Sequence, residues 1–160
     1  MTVAFLTSKR RRAAVALGAV SAGLLVLSAC EKPTPVATVT VGSSSVNSQA
    51  ACYNDGHPIE EKQIPACLNK KAEQSITVDP QADKIRFGVD PSIADNGWTI
   101  FLNGQNAEPE PFKKTYRTIP ASAFFSSQTG AAPDQTQVTI VESGGKNVTG
   151  IWHFNLKKKS

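Results

Sequence analysis

The chain has 160 residues, 40% of them hydrophobic and 19% charged, with 17 Lys and Arg against 13 Asp and Glu and a formal charge of +4. Four of the 17 basic residues precede Cys30 and no acid does, which leaves 13 against 13 from Cys30 onward. The basic surplus therefore lies ahead of Cys30, nucleic acid is excluded as a partner of the remainder, and that remainder suffices for one domain with a real core but not for two.

The chain opens on a cationic block, Lys9, Arg10, Arg11 and Arg12, followed by an uncharged run over residues 13–29 rich in Ala, Gly and Ser. A basic segment ahead of a short apolar one is an export signal; a permanent span needs about 20 predominantly apolar residues, more than this run offers. Arg12 and Ala13 fit the folded-export motif poorly, so the general secretory route is expected. The run closes on Leu27, Ser28, Ala29 and Cys30, which resembles the lipobox of bacterial lipoproteins. That resemblance implies cleavage before Cys30, diacylglycerol on its sulfur, and attachment to the cell membrane on the extracytoplasmic side. The alternative is an ordinary signal-peptidase cut after Ala29, but the small-residue pattern such a site wants is poorly met by Leu27, Ser28 and Ala29. The expected organisation is a signal peptide at 1–29, a lipidated tether at 30–35 stiffened by Pro33 and Pro35, and one folded domain at 36–160.

With Cys30 consumed by lipid, the other two of the three cysteines, Cys52 and Cys67, form a natural disulfide pair in an oxidising compartment. A redox or metal pair usually wants closer spacing, such as C-x-x-C. In chain order, Ala37, Val39 and Val41 alternate with Thr38 and Thr40 as a half-buried strand does, and Gly42 with the serines after it ends that strand. Residues 52–67 read as a stapled surface loop with a helical turn, and its polar residues Asp55, His57, Glu60 and Glu61 make it the candidate binding loop. Ile76 and Val78, then Ile85, Phe87 and Val89, predict two further strands, and Trp98 to Leu102 is apolar on both faces and so reads as central.

Asn103-Gly104 is the strongest two-residue turn signal, with a polar, proline-rich loop expected after it. Residues 112–119, carrying Lys113, Lys114 and Arg117, suit an edge strand on which charge discourages aggregation, and Pro120 to Phe125 predicts a helical turn with two phenylalanines for the core. The chain closes on a hairpin, Val138 to Val141 and Val148 to Leu156. On its second strand Gly150, Trp152, Phe154 and Leu156 share one face, and Thr149, Ile151, His153 and Asn155 the other. Lys157, Lys158 and Lys159 read as a solvated end within reach of anionic lipid headgroups.

These signals add up to an all-β chain: about seven short strands in an antiparallel, immunoglobulin-like β-sandwich. The segments around Cys52-Tyr53-Asn54-Asp55-Gly56 and Ile85-Arg86-Phe87-Gly88-Val89-Asp90 through Gly97-Trp98 resemble small uncharacterised lipoproteins of high-GC Gram-positive bacteria. That resemblance implies location and fold, and no particular activity.

Two histidines and no methionine beyond Met1 cannot build a copper site of the blue-copper or methionine-rich kind, and Asp79, Asp83, Asp90 and Asp95 do not approach calcium-loop spacing, so no metal and no cofactor are expected. The serines cluster in runs, no G-x-S-x-G occurs, and Glu108 and Glu110 sit in a proline-rich loop unsuited to a shielded acid. A non-catalytic role is expected: a membrane-anchored interaction module that presents loops such as 52–67 to another envelope protein or the wall. The alternative is a protein that binds a small ligand or ion and delivers it to a membrane partner.

Overall fold

The computed structural model describes residues 33–108, 110–126, 132–144 and 147–159. The signal-recognition residues Arg10, Arg11, Arg12, Leu27, Ser28 and Ala29, the lipidation site Cys30, and the turn residues Gly145 and Lys146 lie outside them. In chain order the elements are β1 (Ala37–Val41), β2 (Ser44–Ser48), β3 (Cys52–Tyr53), α1 (Ile64–Leu68), β4 (Gln74–Val78), β5 (Lys84–Val89) and α2 (Pro91–Asn96). They continue with β6 (Trp98–Leu102), β7 (Gln105–Asn106), β8 (Tyr116–Pro120), a 3-10 turn at Ala121–Phe124, β9 (Gln135–Gly144) and β10 (Asn147–Lys158).

These strands form two sheets. The first has four strands in the order β2-β1-β5-β8, and the second has six, β3-β10-β9-β6-β7 with β4 added to β10. Every pair is antiparallel except β4 with β10, which is parallel. The all-β, two-sheet class read from the sequence therefore holds, with one parallel pair in place of a purely antiparallel layout.

The seven strands with alternating or continuous apolar patterns are all present, and β2, β3 and β7 are additional. Two of these are two residues long, and β2 contains a single large apolar residue, Val46; it forms because Gly42, at φ +56°, folds the chain back to extend the ladder of β1. Asn103 and Gly104 have φ of +48° and +83°, the pair of left-handed residues that a tight hairpin needs, and they deliver β7 against β6. β6 lies next to that stub near the sheet edge rather than centrally.

The apolar rows predicted for β1, β5 and β10 meet between the sheets. Val39, Phe87, Trp98, Ile140, Trp152 and Phe154 are fully or almost fully buried there, and the 3-10 turn adds Phe124 and Phe125. Phe87 and Phe124 pack with ring centroids 5.4 Å apart. Each buried indole finds a partner for its N–H: Trp98 Nε1 donates to the Lys114 carbonyl and Trp152 Nε1 to that of Pro35, both at 2.9 Å. A Cβ at Gly150 would lie 2.3 Å from the tip of the Trp152 ring, so glycine is required for that indole to lie flat on its own strand.

Arg117 departs from its expected place on a charged edge. It lies opposite Phe87 on the inner side of β8, pairs with Glu108 and stacks 5.4 Å from the Phe112 ring. Glu108 is correspondingly shielded rather than solvated, its side chain only 12% exposed.

Candidate functional site

β3 and β4 occupy the same edge of β10. β3 runs antiparallel beside Gly150 and Ile151, and β4 runs parallel beside residues 154–158. The chain between them must leave the sheet and return, and it does so across the sheet's outer face. Cys67, Val141 and Ile151 form a second buried cluster there, with Cys52, Leu68, Phe101 and Val148 packed against it. Residues 52–67 are thus a roof over the sheet, where the sequence suggested a stapled surface loop.

The roof is pinned at several independent points. The Cys52–Cys67 disulfide forms as expected, with the two Cα atoms 5.9 Å apart. Ala51 N–H donates to the Ile151 carbonyl at 2.7 Å and Ile59 N–H to that of Val148 at 2.8 Å. Asp55 and Gly56, both at positive φ, make a tight turn closed by His57 N–H donating to the Asn54 carbonyl at 2.7 Å. Beyond α1, Lys70 Nζ donates to the Ala51 carbonyl at 2.6 Å, and the Gln137 side-chain amide donates to the Lys70 carbonyl at 3.0 Å.

His153 is the buried polar post beneath this roof, 2% exposed. Its Nε2 lies 2.8 Å from the Cys67 carbonyl, which can only accept, so Nε2 carries the proton. Nδ1 then accepts from the Thr139 hydroxyl at 2.8 Å. Burial pushes the His153 pKa below its ordinary value; the bond to Cys67 opposes that shift and the charge of Lys70 adds to it. The neutral imidazole ties β10 to α1, with both ring nitrogens engaged by protein partners.

The residues expected to form the binding loop, Asp55, His57, Glu60 and Glu61, are all exposed on the roof. They do not converge: among the described residues no three His, Cys, Asp or Glu side chains come together as a metal-holding group. Glu60 instead pairs with Lys62 at 2.9 Å on the surface. Asp79 and Asp83 accept backbone N–H bonds from Gln81 and Asp79, which is turn chemistry, and Asp90 accepts from Val36 N–H just ahead of β1, a tertiary tie.

Two concavities flank the roof. One, of about 330 Å³, is lined by Cys52, Tyr53, Asn54, Ile59, Glu60 and Gln63. The other, of about 300 Å³, runs along Ser48 to Ala51 and is bordered by Lys70, Lys71, Glu73 and His153. Burial, followed by the charges of Glu142 and Asp55, raises the Tyr53 phenol above its ordinary pKa of 10.0, so it is a neutral hydrogen-bonding group at neutral pH.

Glu142 was invisible in the sequence. It is 1% exposed and sits on the inner row of β9, with Oε1 accepting from the Asn96 amide at 2.6 Å and Oε2 without a hydrogen-bond partner. A Cβ at Gly150 would lie 2.9 Å from that free oxygen, so the carboxylate is wedged against the backbone of β10 rather than open to a ligand.

Fold and site together define a two-layer all-β domain with a disulfide-pinned roof on one sheet. Comparison of the chain with protein-family models, curated proteins and solved structures finds no match.

Proposed function

We propose that the chain is an extracytoplasmic lipoprotein, anchored in the cell membrane through Cys30, that acts without catalysis as an interaction module for another component of the cell envelope. The observation that carries the module reading is the roof itself. It is fixed by a disulfide, by backbone bonds to β10 and by His153, yet it turns Asp55, His57, Glu60, Glu61 and Lys62 to solvent. A polar surface held rigid before contact loses little conformational freedom on binding, which favours recognition. The order of basic block, uncharged run and Leu27-Ser28-Ala29-Cys30 supports the anchor.

We read the two-sheet arrangement as an immunoglobulin-like sandwich, on the strength of a chain that passes repeatedly between two packed sheets. The small-ligand alternative rests on the two concavities beside the roof, because large side chains such as Trp98, Trp152 and Phe154 occupy the space between the sheets. Native mass spectrometry of the protein purified from its own membranes in mild detergent tests the proposal. A mass equal to residues 30–160 plus diacylglyceryl and acyl groups is expected. An unlipidated mature chain overturns the anchor, and a further stoichiometric small molecule replaces the module reading with the ligand one.

A further inference from the structure

Among the described residues nothing roofs the outer face of the four-stranded sheet, and its composition is unlike that of an indifferent solvated surface. On the strand next to its edge, Lys84, Arg86 and Gly88 point outward, because Ile85, Phe87 and Val89 point into the core. The register sets Gly88 between Thr38 of β1 and Tyr116 of β8, and Arg86 between Thr40 and Thr118. Asn47 and Ser45 of β2 extend the same two rows, bonded to Thr38 at 2.8 Å and Thr40 at 3.0 Å.

Three features of this face point to a ligand. Tyr116 is 60% exposed, the one large hydrophobic residue so exposed among the described residues, and the Arg86 guanidinium lies 5.6 Å from its ring centre. Gly88 beside it has no structural reason to be glycine. It is not held at positive φ, and a Cβ there would meet nothing closer than Thr38 Cβ at 3.8 Å and the Thr115 carbonyl at 3.9 Å. Glycine inside a strand weakens it and often marks a place where something approaches the backbone closely. The charge is also one-sided: Arg86 is the ionic group of the two rows, Lys84 precedes it on the same face opposite Pro120, and neither pairs with a carboxylate among the described residues. The nearby acids Asp83, Asp90 and Glu108 are already engaged by Asp79 N–H, Val36 N–H and Arg117.

We propose that this face docks an acidic polysaccharide, with a sugar ring stacked on Tyr116 over the shelf left by Gly88 and its acid groups held by Arg86 and Lys84. Aromatic faces take the apolar side of a sugar ring, and the flanking hydroxyl and amide side chains, spaced by the distance between strands, supply the directional hydrogen bonds its hydroxyl groups need. Arginine favours carboxylate or phosphate because its planar fork can bond two oxygens at once. The proposal rests on the envelope-facing reading above only for the presence of such a polymer, and the binding itself is independent of Cys30.

The test is a titration of the full chain, purified in mild detergent, with polygalacturonate and with neutral dextran, followed by calorimetry and by amide chemical shifts. The expected result is binding to polygalacturonate at least tenfold tighter than to dextran, with shifts concentrated on β1, β5 and β8. Tyr116→Ala and Gly88→Val should each weaken it at least tenfold, while Gly88→Val melts at or above the wild-type temperature and Glu60→Gln on the roof binds normally. No binding, equal binding of dextran, or affinity unchanged in both face variants overturns the proposal. If short-chain phosphatidylglycerol shifts the same amides and the polysaccharide does not, the face belongs to lipid and the proposal falls. Polysaccharide binding by a protein without lipid on Cys30 sinks the anchor and leaves this face standing; a lipidated protein that binds no polysaccharide does the reverse.

Discussion

The two sheets of this domain treat their outer faces in opposite ways. On the six-stranded sheet, Val141, Ile151 and Phe101 point outward, so the face is too apolar to meet water and is covered by residues 52–67, themselves held by Cys52–Cys67 and His153. On the four-stranded sheet, Thr38, Thr40, Arg86 and Tyr116 point outward, and no described residue covers the face. The contrast separates side chains that hold the fold together from side chains that meet solvent. Side chains on the covered face are part of the core, whereas those on the open face contribute little to folding and are free to serve a partner.

Substitutions on either side sharpen this division. The reference for a large effect lies between the sheets: Trp152→Ala empties a fully buried site and should cost about 3–5 kcal/mol, measured as a lower denaturant midpoint at similar slope. Cys52→Ser combined with Cys67→Ser should cost about 3 kcal/mol by the chain-entropy account, and should leave the hydrophobic patch around Ile151 open enough to bind a reporter dye.

A smaller loss is expected from His153→Gln, about 1–3 kcal/mol at neutral pH, because the Cys67 carbonyl and Thr139 hydroxyl lose a partner of the right shape. This substitution also carries a pH signature. The folded state depresses the His153 pKa below 6.5, so the contribution of the neutral ring is complete above that value. It is lost as pH falls from 6.5 toward the folded-state pKa, where the unfolded chain takes up a proton that the folded one refuses. The wild type should therefore lose stability more steeply than His153→Gln across this interval in acid titrations of the unfolding free energy. On the open face, Ser45→Ala should change stability by no more than about 0.5 kcal/mol in the same denaturant experiment. A large loss there would mean that the open face is as structural as the covered one.

The sequence made some of this visible. β1, β5 and the inner row of β10 were legible because each alternates apolar and polar residues at period two, the pattern of a strand with one face inward. β2 was not, since Ser44, Ser45, Asn47 and Ser48 lack that pattern and become a strand only through the ladder offered by β1. The disulfide was legible from cysteine arithmetic, but its role as a roof was not, because residues 52–67 are mostly polar and bury little beyond Ile59 and Cys67. The missed signal lay in β10 itself: Ile151 and His153 on the face opposite Trp152 already required a cover. Glu142 escaped notice and Arg117 was read as a solvated edge charge because an isolated charge in a strand gives no sign of its partner, here Asn96 and Glu108, until the strands are placed. The Tyr116, Gly88 and Arg86 cluster is likewise assembled from separate strands by register alone.

The claim on which this division depends is that residues 52–67 fold as part of the sheet rather than hanging from it. Amide hydrogen exchange of the oxidised protein, read residue by residue, tests this directly. The amides of Ala51 and Ile59, bonded to the carbonyls of Ile151 and Val148, are expected to exchange as slowly as those of the β9–β10 ladder, and to speed up when the disulfide is reduced. Fast exchange at Ala51 and Ile59 with the disulfide intact and the ladder still protected would contradict the account.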